Sequence, residues 1–221
     1  MIKCILFDFD GTLIDTNEAV IESLKDSIES FTGRVVDFKE LIPILGKPIV
    51  EQMKYFSEEM CSDMVEHYRT GYRSREEEKT FIFENIEEML RVLKSKGYKI
   101  GITSNKSRRG INYGLNRFNL VSYIDFIISV DDVEKKKPHP ECINKVIKEN
   151  GYSIDELIII GDSPHDINCG INAGIKTALV SWTLFPMKEF KSASPDYVLK
   201  DPLELVEVIE KENTVRTKES S

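Results

Sequence analysis

The sequence has few of the features that disulfide frameworks, membrane spans or nucleic-acid surfaces require. Its 221 residues include four cysteines, and these are scattered without a CxxC pair, which favours small buried thiols. No apolar run is long enough to cross a bilayer. The formal net charge of −8 argues against a protein that neutralises nucleic-acid phosphates, although a local pocket can still hold a small anion. We therefore expect neither a membrane nor a nucleic acid as partner.

The N-terminus also lacks the layout of a secretion signal. Met1-Ile2-Lys3 leads directly into an apolar segment that is typical of a core strand. Together with the cysteine pattern, this predicts a cytoplasmic protein. The length suits one large domain, or one good core with a smaller lobe.

Five short apolar segments have the composition of buried strands, and helical patterns lie between several of them. The segments are 4–7, 99–103, 125–130, 156–161 and 176–181. Such alternation predicts an α/β fold with a doubly wound, mainly parallel sheet. Helix-end signals support this interpretation, because Asn85 and Glu88 resemble a capping box and Gly97 follows the last turn of the same helix.

The stretch 16–79 differs from the rest of the chain. It contains no convincing strand, and its apolar residues recur at helical spacing. We interpret it as a helical insertion after the first strand, with the α/β core formed by 1–15 and 80–212. The polar C-terminal residues 213–221 are predicted to be disordered.

Four polar clusters follow four of the predicted strands. They are Asp8 and Asp10; Ser104, Asn105 and Lys106; Lys135, Lys136 and Lys137; and Asp162, Ser163 and Asp166. Ligands of open parallel sheets bind beyond the carboxyl ends of the strands. We therefore expect these clusters to converge on one site.

Each cluster alone has a simpler explanation. The paired aspartates suit the outward face of an alternating strand, Ser104-Asn105 or Asp162 suits a helix cap, and the lysines suit a solvated turn. A calcium loop starting at Asp8 is excluded, since the glycine is misplaced and the twelfth residue is Ala19 rather than Glu. The joint occurrence of all four clusters at strand ends favours a shared function.

The combined residue types suit phosphoryl transfer. Asp8 and Asp162 could hold Mg²⁺, which prefers oxygen ligands and offsets repulsion between a carboxylate and a phosphate. Asp8 can attack phosphorus, while Asp10, two residues along an extended backbone, points the same way and serves as acid and then base. Gly11 permits a sharp turn that exposes backbone N–H groups, and Ser104 and Lys137 could neutralise the phosphoryl oxygens.

In their order and spacing, "DFDGT", "ITSN", "KKKPHP" and "GDSPHD" resemble the four motifs of the haloacid dehalogenase (HAD) superfamily of phosphatases. The resemblance implies a Rossmann-like core in which Asp8 is the nucleophile and Asp10 the acid and base. Mg²⁺ would be held by Asp8, the Asp10 carbonyl and Asp162, with Asp166 orienting its waters. Phosphate-binding residues would be Gly11, Thr12, Ser104, Asn105 and Lys137. The insertion resembles the small helical cap of this superfamily.

Within the superfamily, the motifs resemble phosphoglycolate phosphatases most, and the later "TALVSWT" also suits bacterial pyrophosphatases. Lys47, in the turn from Gly46 to Pro48, is a candidate substrate contact. We expect a small phosphorylated metabolite as substrate and a monomer or weak homodimer. A β-phosphoglucomutase-like mutase stays open as an alternative. A phospho-aspartate receiver fits poorly, because it would place the phosphorylated residue after the third strand and would lack the insertion.

Overall fold

The computed structural model describes residues 1–191 and 193–219. The chain divides into two compact units, one formed by Met1–Leu13 together with the residues from Ile82 onward, and the other by Ile14–Phe81. The two boundaries lie two residues from those expected from the sequence. Each unit has its own packed interior.

The first unit is built on a six-stranded sheet. Its strands are β1 (Cys4–Phe7), β4 (Lys99–Thr103), β5 (Phe126–Ile128), β6 (Leu157–Gly161), β7 (Lys176–Val180) and β8 (Tyr197–Leu199), in the order β5-β4-β1-β6-β7-β8. All five pairings are parallel. A separate pair is formed by β2 (Ile14–Asp15) and β3 (Phe81–Ile82). The predicted α/β fold with a parallel sheet is confirmed.

The centre of the sheet consists of β1 and β6, whose residues are all buried. Strands covered on both faces read as continuous apolar runs, which explains why "CILF" and "LIIIG" could be recognised. The third strand is shorter than predicted. It ends at Ile128 because the chain turns into a short 3₁₀ helix, Val130–Asp132, which Ser129 and Asp132 close with a capping box.

Helices of this unit cover the sheet. They are α5 (Ile86–Ser95), α6 (Arg108–Arg117), α7 (Glu141–Asn150), α8 (Pro164–Ala173) and α9 (Glu204–Glu219). Cys142 and Val146 of α7 and Cys169 of α8 pack with Leu6 and Ile159 of the central strands. Within the described part of the chain, no helix has both the length and the apolar character needed to cross a membrane.

The start of α5 differs from the predicted capping box. Asn85 adopts a left-handed conformation with φ 63°, and its side chain makes no cap bond. It donates instead to Asp201 (2.8 Å), while Glu88 pairs with Arg91. Tertiary partners outcompete the local cap here. The end of α5 agrees with the sequence, because Gly97 follows it with φ 84°.

The second unit consists of α1 (Asn17–Thr32), α2 (Phe38–Leu41), α3 (Ile49–Phe56) and α4 (Cys61–Lys79). The two long helices, α1 and α4, pack along each other, with Leu24, Ile28 and Met64 buried. Ion pairs tie their surfaces, since Lys79 contacts both Glu18 (2.7 Å) and Glu22. The residues predicted to form a helical insertion are thus helical.

The C-terminal residues differ from the prediction of disorder at 213–221, since α9 continues to Glu219. Asn213 anchors the helix to the first strand region: it accepts from the Ile2 N–H (2.5 Å) and donates to the Ile2 carbonyl (3.2 Å). The prediction of disorder rests on the polar composition of this segment, which contains no information about a contact with Ile2. Residues 220–221 lie outside the described part of the chain.

We expect Gly170→Ala to destabilise the protein. A Cβ at Gly170 would lie 2.4 Å from Thr177 Cγ2 of β7 and 2.5 Å from Ile159 Cγ2 of β6. Overpacking of this kind costs about 1–3 kcal/mol, which exceeds the gain of roughly 1 kcal/mol in helix propensity. Urea unfolding checks the sign. Gly71→Ala is the matched control, because the only atom within 3 Å of its Cβ would be Nη1 at the end of the Arg75 side chain; equal stability of the two variants would contradict this packing.

Candidate active site

The carboxyl ends of the central strands bring the predicted clusters together. Asp8 directly follows β1, and its N–H donates to the Ile160 carbonyl of β6 (2.9 Å). Ser104 follows β4, and its N–H donates to the Ile128 carbonyl of β5 (3.0 Å). These bonds extend the sheet ladders by one residue. The positions of Asp8 and Ser104 are therefore fixed by strand register.

Lys137 lies at the centre of the cluster, almost completely buried. Its Nζ donates to Asp8 Oδ1 (2.7 Å) and to Asp166 Oδ1. A third bond goes to the Thr103 main-chain carbonyl at the end of β4 (2.8 Å). An ammonium has three N–H donors. One side chain thus connects three of the four predicted clusters.

Asn105 holds the backbone that carries Lys137. Its Nδ2 donates to the Lys137 carbonyl (3.2 Å), and its Oδ1 accepts from the Lys137 N–H (3.1 Å). This paired contact differs from the phosphate-binding role predicted for Asn105, and it makes Asn105 a positioning residue for Lys137. The cap of α6 is Ser107, whose side chain accepts from the Gly110 N–H, and not Ser104.

Asp166 is held by the first turn of α8. Its Oδ2 accepts from the Ser163 N–H (3.0 Å) and from the Ser163 hydroxyl (2.6 Å), which forms a capping box. The chain before it must approach closely, since a Cβ at Gly161 would lie 2.2 Å from Asp166 Cβ. The glycine that ends β6 therefore makes room for this carboxylate.

Asp162 lies against the turn that follows Asp10. A Cβ at Gly11 would lie 2.5 Å from Asp162 Oδ2, and Gly11 has φ 80°, so glycine is required there for two reasons. The Thr12 hydroxyl donates to Asp162 Oδ1 (3.4 Å). This contact differs from the phosphate contact predicted for Thr12, and it orients a carboxylate instead.

Trp182 and Thr183 also support this region, and the sequence analysis gave them no role. The Thr183 hydroxyl donates to the Asp162 carbonyl (2.5 Å), and the Trp182 indole donates to the Thr12 carbonyl (3.3 Å). Both residues follow β7 closely. Because ligands of parallel sheets bind beyond the carboxyl ends of the strands, their position directly after a predicted strand could have identified Trp182 and Thr183 as residues near the site.

The cluster carries more negative than positive charge. Burial raises the pKa of Asp8 to about 6, against the opposing effect of the Lys137 ammonium. Burial, together with Asp166 and Asp8, raises the pKa of Asp162 well above its ordinary value. Burial also disfavours the ammonium of Lys137, but Asp166 and Asp8 outweigh it and raise its pKa. Lys137 is therefore charged at neutral pH.

The donor set suits a hard cation. Asp8, Asp162 and Asp166 each offer one carboxylate oxygen, and these oxygens lie within 4.8 Å of one another. Oxygen donors are those that hard divalent cations prefer. The pKa values of Asp8 and Asp162 are raised mainly by burial, and a cation beside these carboxyl groups would favour their ionised forms. The residues present thus fit a bound metal ion.

Asp10 is not one of the three clustered carboxylates, and Lys47 belongs to the other unit. Asp10 is partly exposed, and its Oδ1 accepts from Lys106 Nζ (2.8 Å). The sequence analysis had assigned no role to Lys106. Lys47 belongs to the helical unit, where its carbonyl accepts from Gln52 Nε2 (2.7 Å) after the left-handed Gly46. The substrate contact proposed for Lys47 stays a prediction.

Comparison with known proteins identifies the family. A family model described as haloacid dehalogenase-like hydrolase matches residues 5–180, which include all four clusters. The chain belongs to this family. The resemblance inferred from the motifs is confirmed, and the chain is a hydrolase of the phosphatase type.

Curated relatives cover almost the full chain. Pyrophosphatase PpaX of Bacillus velezensis is 33% identical over 207 residues, which are 94% of this chain and 96% of the relative. Pyrophosphatase PpaX of Bacillus cereus is 33% identical over 212 residues, covering 96% of this chain and 98% of the relative. The similarity therefore includes the helical insertion as well as the core.

Solved structures agree with this HAD-like fold. A predicted phosphatase from Clostridium acetobutylicum superposes with a TM-score of 0.82 at 25% identity, covering 96% of this chain and all of the other. A predicted phosphoglycolate phosphatase from Haemophilus somnus superposes with a TM-score of 0.84 at 17% identity, covering 94% of this chain and 98% of the other. The second likeness concerns the fold alone.

We expect Asp162→Asn to stabilise the metal-free protein at neutral pH. The folded state binds a proton at Asp162 more tightly than the unfolded chain, so the free energy of unfolding falls as pH rises above the ordinary carboxyl pKa. Asparagine removes this loss. The gain should increase steadily from pH 4, where it vanishes, to pH 8.

Urea unfolding in EDTA from pH 4 to 8 measures this difference. The exposed Asp155 provides the control, because Asp155→Asn removes a carboxylate that lies outside the cluster. A stability difference for Asp162→Asn that is the same at every pH would contradict the electrostatic explanation.

Proposed function

We propose that this hydrolase is a Mg²⁺-dependent phosphatase that acts on a small phosphate ester or anhydride through a phosphorylated Asp8. The observation that carries the proposal is the buried contact of Lys137 Nζ with both Asp8 and Asp166, beside Asp162. A charged donor fixed beside a nucleophilic carboxylate is preorganised for a phosphoryl group.

Asp8 is the proposed nucleophile. One of its oxygens attacks phosphorus, the bond from phosphorus to the leaving oxygen breaks, and Asp10 gives its proton to that oxygen. A water molecule then attacks phosphorus, and Asp10 takes the proton of that water. The bond to Asp8 breaks, which releases phosphate and restores the carboxylate. Lys137 holds one oxygen of Asp8, so the carboxylate keeps a fixed orientation in both steps.

Asp8 and Asp162, with the main-chain carbonyl of Asp10, are the proposed ligands of Mg²⁺. When bound, the ion neutralises phosphate oxygens and reduces their repulsion with Asp8. Asp166 is engaged by Ser163 and Lys137, which suits a residue that orients the waters of the ion. Ionised Asp8 is needed for attack, and a nearby cation favours that state against burial.

Ser104 and Lys137 are the proposed binders of the transferred phosphoryl group. Ser104 is buried at the end of β4, and its Oγ accepts from the Lys106 N–H (3.3 Å), which leaves its own O–H as a donor. Gly11, with its left-handed backbone, gives the turn whose N–H groups we propose as further donors. Thr12 and Asn105 are better explained as supports of Asp162 and Lys137.

Two substrates deserve the first test. The curated relatives named pyrophosphatase are 33% identical over nearly the whole chain, which favours inorganic pyrophosphate. Phosphoglycolate is the substrate that the sequence motifs favour. We propose that the helical unit selects between such substrates, since inserted lids commonly supply specificity. We further propose that the protein works as a monomer or weak homodimer.

Asp8→Asn should reduce turnover by several orders of magnitude while the protein stays folded, because an amide is a poor nucleophile. We would measure phosphate release from pyrophosphate, phosphoglycolate, sugar phosphates and nucleotides, with Mg²⁺ or with EDTA. The wild type should need Mg²⁺ and should prefer one substrate by kcat/KM. Addition of a sugar bisphosphate would reveal a mutase.

Asp155→Asn serves as the matched control and should keep wild-type rates. Circular dichroism and urea unfolding show whether the Asp8 variant is folded. Turnover by Asp8→Asn near the wild-type rate would refute the role of Asp8. Full activity of the wild type in EDTA would refute the role of the metal.

A further inference from the structure

Lys106 is a largely buried cation beside the proposed acid and base. Its Nζ lies 2.8 Å from Asp10 Oδ1 and 5.6 Å from the centre of the Phe9 ring. Its backbone is fixed as well, because its N–H donates to Ser104 Oγ (3.3 Å) and its carbonyl accepts from the Val130 N–H (3.3 Å). The ammonium thus approaches Asp10 from an anchored segment.

The burial of Lys106 separates this pair from ordinary surface ion pairs. The side chains of Lys106 and Asp10 are 14% and 30% exposed, whereas those of the surface pair Lys54 and Glu58 are 49% and 81% exposed. Exposed pairs contribute little because water screens them and mobile side chains must be ordered. A buried stem with its ammonium on a carboxylate holds that carboxylate more firmly.

Two glycines of α6 provide the space for this arrangement. Gly110 and Gly114 are four residues apart and share one face of the helix. A Cβ at Gly110 would lie 2.8 Å from Lys106 Cε and 3.3 Å from its Cγ. A Cβ at Gly114 would lie 2.7 Å from Cζ of the Phe9 ring. Glycine disfavours helices, so its presence at both positions needs a reason, and the packed Lys106 stem and Phe9 ring supply one.

We propose that Lys106 is a positioning residue that holds the Asp10 carboxyl group where it exchanges a proton with the leaving group, and that Gly110 provides the room for it. This inference rests on the proposed phosphatase function. Lys106 itself takes no proton and forms no bond to phosphorus. It acts only through the position of Asp10.

This role predicts a dependence on the leaving group. An alkoxide leaves poorly and needs a proton from Asp10, whereas p-nitrophenolate leaves without one. The value of kcat/KM reports steps up to release of the leaving group. Misplacement of Asp10 should therefore reduce kcat/KM for an alkyl phosphate and barely change it for p-nitrophenyl phosphate.

The first experiment compares Lys106→Met and Lys106→Arg with the wild type on these two esters in Mg²⁺. Lys106→Met should lose on the order of 100-fold in kcat/KM with the alkyl phosphate. With p-nitrophenyl phosphate the loss should stay below about threefold. Lys106→Arg keeps a cation near Asp10 and should recover part of the loss.

The second experiment leaves Lys106 in place and fills its space. Gly110→Ala should displace the lysine stem, lower kcat/KM with the alkyl ester and leave the melting temperature equal or higher, since alanine favours the helix. The same change in a Lys106→Ala background should have no further effect on kcat/KM. Asn112→Ala, at an exposed position of α6, is the control and should behave as the wild type.

The possible results separate the two proposals. Equal losses with both esters would overturn the positioning role, because Lys106 would then act through phosphate binding or general stability. If Gly110→Ala keeps the wild-type kcat/KM with the alkyl phosphate, the proposed role of the glycine is wrong. If Lys106→Met keeps it, the proposed role of the lysine is wrong. If the wild type hydrolyses neither ester nor any other phosphate, the proposed function fails, and this inference fails with it. If Lys106→Met does not fold, Lys106→Ala and Lys106→Arg are compared on the two esters in its place, and equal losses with both esters would again overturn the role of the lysine.

Discussion

One buried ammonium bonds two of three clustered carboxylates, and the rest of the site depends on it. Oxygens of Asp8, Asp162 and Asp166 lie within 4.8 Å of one another. If Lys137 were removed, these three carboxylates would lose the ammonium that lies among them. Removal of one partner from a buried ion pair costs several kcal/mol, because the remaining charge stays desolvated. Lys137 is accordingly fixed at two points. Its ammonium donates to the Thr103 carbonyl, and its backbone bonds the Asn105 side chain.

This arrangement requires the parallel sheet. Cys4 of β1 lies opposite Lys99 of β4 and Leu157 of β6, so the three strands end together. Asp8 follows β1, whereas Asp162 and Asp166 both follow β6, so groups that are far apart in the sequence meet at one edge of the sheet. A shift of register by one residue would turn Asp8 to the opposite face of the sheet and separate it from Lys137.

The fold and the convergence of the clusters could be predicted because both depend on local patterns. Buried strands appear as short apolar runs, and the ends of parallel strands share one edge. Individual side-chain partners could not be predicted. The side chains of Asn105 and Thr12 bond Lys137 and Asp162, and Asn85 bonds Asp201 instead of capping its helix. Such choices depend on residues more than 30 positions away, which a local pattern does not contain.

The single tryptophan of the chain occupies an informative position. Its indole bonds the Thr12 carbonyl and its ring packs against Phe83, 5.8 Å away, so it touches both segments that adjoin the unit boundaries. Its neighbour Thr183 bonds the carbonyl of Asp162. The protein thus carries an intrinsic fluorophore beside these two segments of the first unit. Its emission offers a label-free signal for rearrangement in either segment, without a contribution from any second indole.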